Sequence, residues 1–257
     1  MRRGIRMQIT NKAEIAFLIL TFLFMVGSMA GWVIELLFRR FISTNNPDRK
    51  WINPGFLAGP ALPLYGFGLV ALFVMSIVPY FVSDLQDEGT VTQVVVTIIA
   101  MGASMTIIEY FAGLIFIKGM KIKLWDYSNE PFNLQGIICL RFSLIWTALS
   151  AAYYFFVQPY AIKLVKWFSD NAAFSFVVGM FYGILIIDLC YSFNLSGKVH
   201  RFAVDNDVVV KYEALKQEIR SETDKVRKKG RFLLALNTSG PLHELMKDMI
   251  DKIKEDA

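Results

Sequence analysis

Residues 15–38 read IAFLILTFLFMVGSMAGWVIELLF, 24 positions with one charge, Glu35. Wound as an α-helix, this run is roughly 36 Å long, enough to cross a hydrocarbon core about 30 Å thick. Four further stretches, about 58–82, 92–117, 136–157 and 172–195, have comparable length and apolarity. The expected fold is an all-α polytopic helical membrane protein with about five transmembrane helices within residues 1–197. Composition points the same way. A chain that is 55% hydrophobic, with 22 Phe and a mean hydropathy of +0.44, would leave large apolar patches facing water if it folded there.

The first run follows Arg2, Arg3, Arg6 and Lys12, and Ser28-Met29-Ala30 has the small-residue character of a signal-peptide cleavage site. The apolar run continues through Trp32, Val33, Ile34, Leu36, Leu37 and Phe38, so the expectation is a retained span.

From Lys198 the character changes. Residues 198–257 hold 13 of the 27 Lys/Arg and 11 of the 22 Asp/Glu, a charged, solvated helical tail. Within it Val208, Tyr212, Leu215, Ile219 and Val226 follow heptad spacing, and Leu242, Leu245, Met246, Met249, Ile250 and Ile253 form a second apolar stripe after Ser239-Gly240-Pro241. The net charge of +5 gives no argument for nucleic acid, because the basic residues alternate with acids or sit at helix ends beside lipid headgroups. His200 and His243 both lie in the tail, which excludes a His-based metal centre in the membrane. Cys139 and Cys190 have neither metal-site nor disulfide-framework spacing. No cofactor is implied.

Arg39, Arg40, Arg49 and Lys50 follow the first span, and Lys118, Lys121 and Lys123 follow the third, whereas the second connection carries Asp84, Asp87 and Glu88. The positive-inside rule then places the first and third connections and the tail in the cytoplasm. Lys163 and Lys166 in the fourth connection, and the basic N-terminus, oppose that placement.

Three acids interrupt the apolar runs: Glu35 after Val33-Ile34, Glu109 after Ile107-Ile108, and Asp188 after Ile186-Ile187. An ionisable group at mid-span costs roughly 2.5–3.5 kcal/mol on insertion scales, so each needs a partner, a water-lined cavity or a function. All three lie on odd-numbered spans, which run in one direction. Gly27, Gly31 and Glu35 are spaced by four, and Gly102, Thr106, Glu109 and Gly113 share a face, so each acid follows a small-residue stripe that admits another helix. Gly179 and Gly183 precede Asp188 less regularly. Each of the first two acids is followed by a loop rich in Asn, Pro, Gly and aromatics, and Phe193-Asn194-Leu195 echoes Phe132-Asn133-Leu134. The pattern suggests a tandem helical hairpin over spans 1–2 and 3–4, with span 5 as a half copy.

Asn53 to Tyr65 contains Pro54, Pro60, Pro63, Gly55 and Gly59, which makes it a candidate re-entrant or broken-helix element as well as a candidate interfacial loop. Arg141, near the start of the fourth span, is a candidate counter-ion for Glu109, Asp126 or Glu35, or else a snorkelling residue.

The run Asn53-Pro54-Gly55-Phe56-Leu57-Ala58-Gly59-Pro60, then Leu62-Pro63-Leu64-Tyr65-Gly66, Glu109-Tyr110, Leu124-Trp125-Asp126-Tyr127-Ser128 and Phe132-Asn133-Leu134-Gln135-Gly136, resembles a bacterial membrane family. It is similar to the ABC-transporter type IV, or CmpB-like permease, family over roughly residues 15–195. That resemblance implies a transport permease of the cell membrane. The chain lacks a GxxxxGK[ST] phosphate loop, so ATP-driven transport would need a separate ATPase subunit. A homo-oligomer is left open.

Three functions stay open at this level. In a permease, Glu35, Glu109 and Asp188 converge with Asn53 and Asn133 in a cavity that binds a polar solute, a cation or a proton. In a membrane enzyme acting on a lipid headgroup or isoprenoid, Glu35 or Glu109 is the general base, and Asp126, Tyr127 or Arg141 positions the substrate. In a scaffold, the acids pair internally and the tail recruits a partner. The candidate binding residues are Glu35, Asn53, Glu109, Trp125, Asp126, Tyr127, Asn133, Arg141 and Asp188.

Overall fold

The computed structural model describes residues 2–43, 46–80, 91–205 and 210–211. In chain order these form helix α1 (Arg2–Phe41), α2 (Pro63–Ile77) closed by a 3-10 turn, and α3 (Val91–Leu114) running into a π-helical turn at Ile115–Gly119. Short strands β1 (Ile122–Lys123), β2 (Asn133–Leu134) and β3 (Ile138–Cys139) follow. Helix α4 (Leu140–Ala152) continues through a π-helical turn, Tyr153–Val157, into α5 (Gln158–Asp170). A 3-10 turn, Ala172–Phe174, leads to α6 (Ser175–Asp205), and strand β4 (Val210–Lys211) ends the described chain. Among the described residues the fold is all-α apart from these four two-residue strands.

Among the described residues, four helical stretches are long and apolar enough to cross a membrane: Lys12–Phe41, Val91–Gly119, Leu140–Asp170 and Ala172–Phe193. The remaining stretch, expected at 58–82, behaves differently. Its chain is non-helical until Pro63, and α2 has 15 residues, a length of about 23 Å. Pro60 and Pro63 disfavour helical backbone in the residues before them, and Pro63 is preset for a first helical turn, where its missing N–H costs nothing. The fourth helix is longer than its apolar core at 136–157 suggests. It runs on as amphipathic α5, so Lys163 and Lys166 lie on a helix, and the connection to α6 shrinks to Asn171–Phe174.

In lipid, helices associate through close packing rather than hydrophobic exclusion, and small residues set how near they come. A Cβ on Gly27 would stand 2.8 Å from Leu69 Cβ, and one on Gly66 would stand 2.3 Å from Ser28 Oγ, so the α1–α2 crossing depends on bare backbone. Gly68 of α2 meets Met105 of α3, and Gly102 of α3 meets Thr147 of α4, in the same way. Helix α5 packs on α1 through Phe22 and Phe168, stacked at 4.1 Å, with Met25 and Val178 completing the cluster. Leu23, Phe73 and Ala161 join α1, α2 and α5. Further along α1, Val33, Ile34, Leu37, Phe38 and Phe41 are exposed, as a lipid-facing surface should be.

The chain divides into two compact units, residues 1–112 with 126–194, and residues 113–125 with 195–257. In the second, β1 pairs parallel with β4, matching Ile122 to Val210. A two-residue strand at Val210–Lys211 stands within the stretch that the heptad reading expects to be helical, and Val208 itself lies outside the described residues. The acidic connection at 81–90 and the apolar stripes from Tyr212 onward lie outside the described residues.

Candidate functional site

Each of the first two acids sits beyond a glycine contact and takes its hydrogen bonds from aromatic side chains. On α1, Gly31 lets Tyr65 of α2 lie directly on the backbone, with Tyr65 Cβ and Cγ 2.3 Å from where a Cβ would stand. One turn further along α1, the Tyr65 phenol donates to Glu35 Oε2 at 3.0 Å. Arg39 Nε donates to Glu35 Oε1 at 2.9 Å, an ion pair of i,i+4 spacing.

On α3 the close contact is Gly102 under Thr147, and the neighbouring Trp146 donates Nε1–H to Glu109 Oε2 at 2.9 Å. Tyr127 donates its phenol to Glu109 Oε1 at 3.0 Å. Glu109 is 4% exposed, and no basic side chain pairs with it among the described residues. Burial, and then the adjacent Glu109 carboxylate, push the Tyr127 phenol well above its ordinary pKa, which keeps it a donor.

The loop before α4 exists to hold Tyr127. The Tyr127 N–H donates to Gly136 O at 2.9 Å, and its ring stacks on Phe142 at 4.3 Å. Asp126 Oδ1 accepts from the Ser128 N–H (3.1 Å) and from Ser128 Oγ (2.6 Å), forming a local turn. Asn133 donates to Ser128 O and Glu130 O and accepts from the Gly136 N–H, and β2 and β3 close the hairpin. Gly136 has φ +67°, and a Cβ there would stand 2.5 Å from Ser128 Oγ.

Asn53 plays the same kind of part in the first loop. Its amide donates to Leu57 O (3.1 Å) and Ala58 O (2.7 Å), and its oxygen accepts the Trp32 indole N–H. Asn46, which sequence reasoning passed over, ties Arg39 O to Lys50 O through its amide.

The third acid is used elsewhere. Asp188 Oδ1 accepts the Ala58 N–H at 3.0 Å, and Oδ2 accepts the Gly59 N–H at 2.8 Å, with Ser192 Oγ adding a third donor at 3.2 Å. Asp188 therefore anchors the non-helical stretch before α2 to α6. Arg141 Nη1 lies 3.2 Å from Glu130 Oε1. The expected pairing with Glu109 or Glu35 is thereby corrected: Arg39 serves Glu35, and neutral donors serve Glu109. Trp125 belongs to the second unit and is half-buried there.

Of the nine expected site residues, the structure joins Glu35, Glu109 and Tyr127 in one polar line and gives Asn53, Asp126, Asn133 and Asp188 to loop architecture. The residues that sequence reasoning missed are Tyr65 and Trp146, whose rings meet edge to face at 6.5 Å. The signal was available, because a Tyr or Trp inside an apolar helix needs an acceptor for its O–H or N–H.

Four apolar helices of spanning length, with acids satisfied inside the helical assembly, define an all-α membrane protein. Residues 22–193, about two thirds of the chain, match the family described as "Putative ABC-transporter type IV", and the chain belongs to that family. It is accordingly an ABC-transporter-like membrane protein. No curated protein and no solved structure matches it.

Proposed function

We propose that this chain is the permease component of a bacterial cell-membrane transporter, with Glu109 binding the proton or small cation that a polar solute moves with or is replaced by. The observation that supports this reading is the Glu109 carboxylate itself, buried and held by two neutral donors with no basic partner among the described residues. A buried carboxylate lacking a counter-charge is neutralised only by what it binds. Glu35, with Arg39 already paired to it, is the accessory acid. On this reading the basic connections after α1 and α3 and the tail face the cytoplasm, where a separate ATPase subunit docks. In the enzyme reading Tyr127 stays on Glu109, while Asp126 binds Ser128 and Arg141 binds Glu130. The scaffold reading is favoured by the internal partners that all three acids have, among which Asp188 serves as a loop anchor.

The test is flux in proteoliposomes holding a pH-sensitive dye, under imposed proton, sodium and potassium gradients. The wild-type chain should dissipate at least one gradient, and Glu109→Gln should lose that flux at an equal level of folded protein. A silent wild type, or a variant that retains full flux, overturns the reading.

A further inference from the structure

Glu35 and Glu109 belong to different hairpins, yet their hydrogen-bond donors touch. The Tyr65 phenol is on Glu35 Oε2, the Trp146 indole N–H is on Glu109 Oε2, and the two rings pack at 6.5 Å with an interplanar angle of 71°. One line of contact thus runs Glu35, Tyr65, Trp146, Glu109, Tyr127. In each aromatic the polar end is committed to a carboxylate and the ring to another aromatic. A Phe or Leu at either position would fill the space, whereas only a donor-bearing ring can both pack and fix a carboxylate.

The charged and titratable groups along this line come from every element around it. They are Glu35 and Arg39 on α1, Tyr65 on α2, Glu109 on α3, Tyr127 in the loop before α4, and Cys139 beside Tyr127. Within it, removing the negative charge of Glu35 favours a charged Glu109.

We infer that Tyr65 and Trp146 are positioning residues that join Glu35 and Glu109 into a single proton-binding unit, so that neutralising one carboxylate changes the proton affinity of the other. This rests on the reading above, in which Glu109 is the binding acid, and adds that the two hairpins report to each other.

The experiment is 19F NMR of the full chain labelled with 5-fluorotryptophan, the Trp146 resonance being assigned by Trp146→Phe. In the wild type that resonance should titrate with pH, and Glu109→Gln should abolish the titration. Glu35→Gln should lower the midpoint by roughly one pH unit, the scale expected for like charges about 10–15 Å apart at an effective dielectric near 20. Tyr65→Phe, which deletes one oxygen and keeps the ring, should shift the midpoint by less. The other four Trp resonances report whether each variant is folded, and if Glu35→Gln does not fold, Tyr65→Phe decides the matter alone. A midpoint unmoved in folded Glu35→Gln or Tyr65→Phe overturns the coupling and leaves the function reading standing. A wild-type Trp146 resonance that never titrates overturns both.

Discussion

Tyr65 lies on Gly31 so closely that its own Cβ stands 2.3 Å from where a Cβ at position 31 would be. The first hairpin is closed by the absence of a side chain, and the phenol it brings to Glu35 arrives by that route.

Gly31→Val should therefore force α1 and α2 apart and lose about 1–3 kcal/mol or more, the usual cost of overpacking. Thermal unfolding in detergent micelles measures it. Gly179, around which a Cβ would meet nothing within 4 Å, is the internal contrast. Gly179→Ala should be neutral or gain up to about 1 kcal/mol of helix propensity. Equal melting temperatures for the two variants would remove the argument that the glycines at the α1–α2 crossing are spatial requirements.

Tyr127→Phe keeps the ring on Phe142 but takes the donor from Glu109 Oε1. Stripping one partner from a buried polar group costs about 1–3 kcal/mol. The variant should melt earlier, and Phe142→Leu, which weakens the stack that aims the phenol, should move melting in the same sense. An unchanged melt for Tyr127→Phe would mean that the hydroxyl carries no weight there.

Asp188→Ala releases two amides at once, those of Ala58 and Gly59. Hydrogen bonds to a charged acceptor contribute about 1.5–3 kcal/mol, so exchange at those two amides should speed up roughly tenfold or more. Amide exchange by mass spectrometry would show this in the peptide covering 55–62. A uniform rise across α3 and α4 would instead indicate general loosening.

Gly136→Ala puts a side chain at φ +67° against Ser128 Oγ. Such a change costs more than about 1 kcal/mol and should open the hairpin that holds Tyr127. Cys139, buried at its far strand, should then become reactive to a membrane-permeant maleimide, while exposed Cys190 serves as the reference thiol in the same chain. A Cys139 that stays protected would show that the hairpin absorbs the strain.

Much of this architecture is legible in residue order, and the part that is not has physical reasons. Spans around Glu35, Glu109 and Asp188 are readable because twenty apolar positions in lipid admit little but helix. Helix α2 misleads because its apolar run extends upstream through Leu57, Ala58, Ala61 and Leu62, where Pro and Gly forbid helix while the side chains stay apolar. The run into α5 is hidden for the opposite reason. Lys163 and Lys166 look like loop residues, although a long basic side chain tolerates a helix end by reaching outward, as Lys163 does over Tyr160 at 5.7 Å. Among the site residues, acids announce themselves by violating the apolar pattern, whereas Tyr65 and Trp146 conform to it. Which acid meets which donor depends on helix crossings set by Gly31 and Gly102, and those are properties of three-dimensional approach rather than of spacing.

The tie between Asp188 and the chain before α2 has a mechanical consequence. The carboxylate of Asp188 is hydrogen-bonded to the non-helical backbone that leads into α2, about 130 residues away in sequence. A displacement of α6 would therefore be carried to the start of α2 through the amides of Ala58 and Gly59.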